Sequence, residues 1–599
     1  MNGFAILLAS AGVLLAGYLV YSRVLALILG VDRRRPTPAH AMRDGVDYVP
    51  AHPAILFGHH FATIAGAGPI VGPVLAAQFG WASVLAWVLF GCVFIGAAHD
   101  MIALFLSVRH EGRSIGSVIG GILGPSGRRM FLLFSWSALI LVTAEFTRQI
   151  AATFTANPGI ASASLLFIAE AVAFGMCVNR LKLGVLPMSL VFVPLMFASV
   201  WIGGMFPIDL AAAMQGCAEN PVEAAQTLWT LAILGYCFLA STLPVWMLLQ
   251  PRDYLNSYLL YAMIAVGLAG VAVAQPEVKM EAFTAFETAG RGGAVHSLFP
   301  FLFVTVACGA CSGFHALVAS GTSSKQISSE GHIRLVGYGA MLLEGLLATL
   351  ALVGVAGTWD YEGFLAAKGE PVALFARSLA GFCATAFECL GFEDAAASGG
   401  AAAEGFILLA VSAFLMTSVD SSTRLARFTW QEFFPLPDPM LVDRGALPPP
   451  RLGERIKNSM YTGTGAVVLV TGVLLLGDPA AAKSLWTTFA SANQMLAALT
   501  LLAATLWFVK HRKPAVVTMV PMLFMMAVSV TALVVLFTDA WNAADVVKIA
   551  ATGLLLFLAG NLVVFGTMRL LSSKKSGGGH GGRDGRHHHH HHHHHGGER

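Results

Sequence analysis

The sequence predicts an all-α polytopic membrane protein, and three observations carry that reading. First, 56% of the 599 residues are hydrophobic and 12% are charged, where soluble domains carry roughly 25% charged residues. Second, apolar windows of about 20 residues, long enough to cross a ~30 Å hydrocarbon core, recur along almost the whole chain. They fall near 3–30, 55–78, 82–107, 130–154, 162–179, 184–206, 226–249, 256–275, 297–319, 334–357, 403–420, 461–477, 485–509, 515–538 and 546–568. The stretch 369–392 is a further span or a re-entrant piece. Third, alternate connections differ in charge: one set holds 25 Lys and Arg, the other six. By the positive-inside rule the basic set is cytoplasmic, which puts the N-terminus outside and the C-terminus inside.

Little chain is left for a soluble domain. A net charge of +3 points to no nucleic-acid partner. The first span lacks a short apolar core followed by a cleavage site, so it reads as a retained helix rather than a signal peptide. Residues 572–599 are rich in Gly and His, with a run from His587 to His595. They have no apolar content to fold with and read as a disordered tail, either a tag or a native metal-binding tract. Cys308 and Cys311 form a CxxC without a second ligand pair, so no metal site or cofactor is expected. No GxxxxGK[ST] loop and no nucleophile elbow is present, which argues against ATP-driven transport and against an enzyme.

The most informative stretch is 57–79. Gly66, Gly68, Pro69, Gly72 and Pro73 interrupt an apolar span, and His59 and His60 stand at its entrance. Proline removes an amide donor and clashes with the preceding turn. Backbone freed at that depth must be buried in protein or face a watery cavity. Such discontinuous helices build the midplane sites of secondary transporters. Five spans later, Thr242 and Pro244 interrupt a span of opposite direction, so a five-plus-five inverted repeat is expected with the two breaks facing each other. The expected organisation is an extra helix at 1–30, repeats at 54–206 and 226–420, a cytoplasmic loop at 421–460, and additional helices at 461–571.

These residues resemble a known family. Phe57-Gly-His-His-Phe61, Ala65-Gly-Ala-Gly-Pro69 and Gly72 to Phe79 look like the signature of the carbon starvation protein A family. Further segments agree in order: Gln250 to Tyr254, Cys311 to Thr322 with Lys325-Gln326, Asp420 to Arg427 with Gln431-Glu432, and Ala492-Asn-Gln-Met495. The resemblance implies a bacterial inner-membrane transporter of peptides or pyruvate, coupled to protons or sodium, with a LeuT-like fold. It also implies a carbon-starvation role.

The candidate site residues follow. Ionisable groups inside spans are costly and mark function or structural pairing. His59 and His60 can bind a carboxylate, relay a proton or cap a helix. The amides around Gly66 to Gly68, and the N-terminal end of a half-helix beginning after Pro69, would offer donors and a helix dipole to an anion. Glu145 and Arg148 share one helix face, as an ion pair or as a pair whose arginine also clamps substrate. His99-Asp100 reads as a helix-end pair, His315 as a substrate contact, and Glu344 has no partner legible in sequence. From the resemblance, Ser320, Thr322 and Ser323 would stand where LeuT-like proteins bind sodium, with Lys325 replacing the cation. Asp420 and Arg424, four apart, would form a gate or structural pair.

Overall fold

The computed structural model describes residues 1–577 except 46, 47, 245, 292, 479–481 and 483, with side chains described to residue 572. The tail expected to be disordered lies almost wholly outside the described residues. Among them, 13 helices are long and apolar enough to cross a membrane, or 15 with two bent pairs counted. In chain order the helices used below are α1 (Gly3–Leu29), α2 (Pro53–Ala65), α3 (Gly68–Phe79) and α4 (Trp81–Arg109). Then come α5 (Pro125–Ala156), α6 (Pro158–Asn179), α7 (Val185–Met205), α8 (Pro221–Thr242) and α9 (Leu249–Ala274). Two short helices follow, α10 (Leu298–Thr305) and α11 (Phe314–Gly321). The remainder are α12 (Glu330–Thr358), α13 (Pro371–Cys389), α14 (Ala396–Phe433), α15 (Met460–Leu476), α16 (Leu485–Lys510), α17 (Val516–Asn542) and α18 (Val546–Ser572).

The first break stands where the sequence put it. α2 and α3 are bent by 43° across Gly66 and Ala67. Gly66 adopts φ 51° and ψ −150°, a conformation that carries a heavy penalty for any residue with a Cβ. Pro69 falls in the first turn of α3, where its missing N–H costs nothing.

The second break is not at Thr242–Pro244. α8 runs intact from Pro221 to Thr242, and Leu243 beyond it is extended. Pro244 follows the end of a whole helix, and Arg424 donates to the carbonyls of Ala240 (3.2 Å) and Leu243 (2.8 Å) there. The discontinuous partner is instead the window near 297–319, which forms α10 and α11 with irregular backbone between Thr305 and Phe314. It runs antiparallel to the first broken span: His60 meets Ser323, Gly68 abuts Cys308, and Gly72 abuts Thr305. Two breaks of opposite direction do face each other, but the second one lies two spans further along.

The freed backbone of this second break is satisfied by side chains, as a membrane interior requires. Gln494 donates to the carbonyl of Phe303 (2.5 Å), Trp486 to that of Thr305 (3.2 Å), and Trp87 to that of Val306 (3.1 Å). Asn493 accepts the Phe314 amide at its Oδ1 (2.9 Å), while its own carbonyl accepts the Gly313 amide (3.1 Å). Three of these four residues come from α16, so one of the helices expected to lie beyond the repeats is central. Its buried polar residues hold the second break open.

α13 is re-entrant. Ser378 packs on Gly354, Phe382 on Gly357 and Cys383 on Gly270, so α13 runs in the same direction as α9 and α12. Since α12 ends at Thr358, four residues beyond Gly354, and Pro371 lies seven before Ser378, the chain doubles back by about 16 Å at 1.5 Å per residue. α14 then returns antiparallel, Gly400 against Ala384. The expected loop 421–460 is also largely ordered: α14 continues to Phe433 and buries Ser422, Thr423, Ala426 and Arg427.

Candidate functional site

The two breaks enclose a cavity of about 10 Å³, lined by Ile64, Ala65, Gly66, Val142, Phe146, Cys308, Phe314, Ser418 and Phe489. That is room for about one water molecule, so the site is closed around its backbone. The last residues of α2 and Gly66 line this space, and α3 begins two residues beyond Gly66 without a side-chain cap. Ser418 of α14 is buried there with its hydroxyl unpartnered among the described residues. A Cβ on Gly66 would sit 2.3 Å from that hydroxyl, so glycine is what permits the close approach. An unpartnered hydroxyl and apolar walls beside interrupted backbone suit a small polar ligand with an organic body.

The expected residues divide between this junction and its surroundings. Gly66, Gly68 and Pro69 are at the junction. His60 is buried one turn and more before it and makes a 2.6 Å contact from Nδ1 to Ser323 Oγ, tying the two broken spans together. His59 turns the other way, with Nδ1 3.7 Å from Asp253. His315 points away from the cavity, 2.7 Å from Asp100. Thr242 bonds back to its own helix at Phe238, and neither it nor Pro244 approaches the cavity lining.

The proposed ion-coupling residues are not gathered into one site. Ser320 and Thr322 return their hydroxyls to the carbonyls of Ala316 (2.7 Å) and Val318 (3.0 Å). Only Ser323 faces another element. Lys325 lies over the ring of Tyr48, 5.5 Å from its centroid. Hydroxyl side chains within a helix commonly bond the carbonyl four residues back.

Asp420 and Arg424 do not pair. Asp420 takes Arg252 instead, with Nη2 to Oδ1 at 2.9 Å and a second contact from Nη1. Arg252 also bonds Asp253 (2.8 Å) and Tyr236 (2.7 Å), and Tyr236 donates to Asp420 (2.8 Å). In this knot Arg252, Asp253 and Asp420 are buried, and with half-buried Tyr236 they join α8, α9 and α14, with His59 of α2 at the edge.

Glu145 and Arg148 do pair, at 2.9 Å, and Gln149 adds a 2.8 Å bond to Glu145. Arg148 further reaches Glu370 at 3.4 Å, at the start of re-entrant α13. All three N–H directions of the guanidinium given by the structure therefore go to protein carboxylates. Arg148→Gln is expected to destabilise the protein by ~3–5 kcal/mol, because it strands the buried Glu145. Glu145→Gln/Arg148→Gln is expected to recover most of that in thermal unfolding and to transport. A folded double variant that no longer binds substrate would assign Arg148 to the substrate.

The chain has informative relatives. A family model described as Carbon starvation protein CstA matches residues 2–381 and 361–532. The peptide transporter CstA of Escherichia coli (strain K12) is 33% identical over 591 residues, covering 89% of this chain and 81% of its own. The pyruvate/proton symporter BtsT of the same organism is 32% identical over 591 residues, covering 88% and 81%. The peptide transporter CstA of Bacillus subtilis (strain 168) is 32% identical over 526 residues, covering 84% of each chain. A solved structure of MhsT in complex with L-phenylalanine aligns over 88% of this chain and 99% of its own, at 12% identity and a TM-score of 0.45. By matches that span most of its length, this chain belongs to the carbon starvation protein CstA family of membrane transporters.

Proposed function

We propose that this protein is a proton-coupled symporter for a small carboxylate such as pyruvate, or for short peptides, in a bacterial inner membrane. The observation that carries this reading is the meeting of two antiparallel broken spans around a closed cavity. The uncapped start of α3, two residues beyond cavity-lining Gly66, would suit a carboxylate as the site opens. Both candidate substrates present one: pyruvate at its only ionised group, a peptide at its C-terminus. The similarity to a relative named as a pyruvate/proton symporter favours protons over sodium. The charge asymmetry of the connections favours an outside N-terminus and an inside C-terminus. The family name favours a role in the response to carbon starvation.

The test is uptake of radiolabelled pyruvate and of a labelled dipeptide by proteoliposomes under imposed gradients. Acid outside should drive accumulation of one of them without sodium. Uptake that follows a sodium gradient at fixed pH would replace the proton, and uptake of neither would remove the assignment.

A further inference from the structure

Behind the second break lies a group of ionisable side chains that the cavity does not use. Asp100 on α4, His315 on α11 and Glu344 on α12 are all at most 1% exposed, as is His99 beside Asp100. Asp100 takes His99 Nδ1 at its Oδ1 and His315 Nδ1 at its Oδ2, both at 2.7 Å. The far nitrogen of His315, Nε2, lies 3.3 Å from Glu344 Oε2. Neither Glu344 oxygen nor His315 Nε2 has a hydrogen-bond partner of good geometry among the described residues. Other titratable groups facing this cluster are Cys92 of α4, Cys308 and Cys311 of the break, and His60 of α2. Among the described residues no Lys or Arg pairs with either carboxylate.

The arrangement constrains where protons sit. Two carboxylates buried without a fixed cation are strongly disfavoured unless protons offset them. Asp100 is an acceptor to two imidazoles, so both Nδ1 atoms carry hydrogen, an assignment made from the partners. A proton shared by a base and an acid is free to come and go between His315 Nε2 and Glu344 Oε2, whereas His99 Nε2, also without a partner among the described residues, faces no second carboxylate there. Both carboxylates also sit just after a widened π turn, Gly91–Gly96 in α4 and Arg334–Gly339 in α12. Such turns are frequent at functional sites. His315 follows Phe314, which lines the cavity, on a half-helix of only eight residues.

We propose that the site between His315 and Glu344 carries the coupling proton, in place of His59 and His60, and that the proton holds half-helix α11 against α4 and α12. On loading, one proton from water forms an O–H bond on Glu344 or an N–H bond on His315 Nε2 and lowers the cluster's negative charge by one. On release that bond breaks and the proton leaves to water on the other side. Without it, Glu344 and Asp100 face each other as anions across a neutral ring, and α11, with Phe314 at the substrate, is the element free to yield.

This inference rests on the proton-coupled reading above, and its test separates the two. In proteoliposomes with acid outside by one pH unit, the wild type should accumulate labelled pyruvate or dipeptide roughly tenfold for one proton per substrate. Glu344→Gln, of the same shape but unable to titrate, should accumulate neither above equilibrium while still exchanging labelled for unlabelled substrate. His315→Gln should also fail to accumulate, and it serves if Glu344→Gln does not insert. Gradient-driven accumulation by these variants equal to the wild type would overturn the assignment. Infrared difference spectra of the purified protein between acid and alkaline pH give a readout independent of substrate. A carboxylic-acid C=O band should change with pH in the wild type, vanish in Glu344→Gln and shift in His315→Gln. A wild type that transports neither substrate counts against the proposed function alone, whereas a titrating band unchanged in these variants counts against Glu344 whatever the substrate.

Discussion

Asp420→Ala is expected to destabilise this protein by ~3 kcal/mol or more, because it leaves buried donors of Arg252 and Tyr236 unsatisfied at ~1–3 kcal/mol each. Arg252 is 0% exposed, and its guanidinium has Asp420, Asp253 and Tyr236 as partners. Without Asp420 a full charge is left with one acid in place of two. The apparent melting temperature in detergent should fall sharply for the single variant. Arg252→Met/Asp253→Asn/Asp420→Leu should recover most of the loss, since it leaves no buried charge. The recovered protein is then a test of function. The knot joins α8, α9 and α14 on the side where His59 enters, and a transporter that must open there has to loosen it. A single variant that melts with the wild type would show that Arg252 has other means of compensation.

The second large effect is expected at the contact between the breaks. A Cβ on Gly68 would lie 2.3 Å from Cys308 Cβ and 2.5 Å from its sulfur, far inside any tolerated separation. Gly68→Ala must push the two broken spans apart by more than an ångström. Overpacking of this kind costs typically ~1–3 kcal/mol, so the variant should still insert, yet lose most of its transport. Cys308→Gly removes the obstructing Cβ, and Gly68→Ala/Cys308→Gly should regain activity. Equal loss in the single and double variants would mean that Gly68 matters for its own backbone and not for this contact.

The first break was legible because its punctuation is chemical: Gly66 and Pro69 in an apolar span exclude a regular helix on local grounds alone. The second break carries no proline. Its run of Ala307-Cys-Gly-Ala-Cys-Ser-Gly313 reads equally well as small residues for close helix packing. What unwinds it is distant, namely Trp87, Trp486, Asn493 and Gln494 offering bonds to its backbone, and no local pattern announces such partners. Pro244 misled for the opposite reason, since a proline just past a helix end marks a stop as readily as a break. Spacing also has a limit as a guide to pairing. Glu145 and Arg148 share a helix face and pair, whereas Asp420 and Arg424 share a face and do not. A helix places two side chains within reach but says nothing of a third chain segment, and Arg252 from α9 supplies a better partner. Glu344 had no legible partner for the same reason, because His315 meets it from another helix.

The central claim is that substrate binds where the two breaks meet. Cys308 lines that junction, so the most direct measurement uses a variant retaining Cys308 as its single cysteine, reconstituted and treated with a small thiol-reactive reagent. Cys308 is expected to react as the site opens during the cycle, and the transported substrate to slow the reaction in proportion to its occupancy. A Cys308 that never reacts in a transporting protein, or that reacts at one rate with and without saturating substrate, would contradict it.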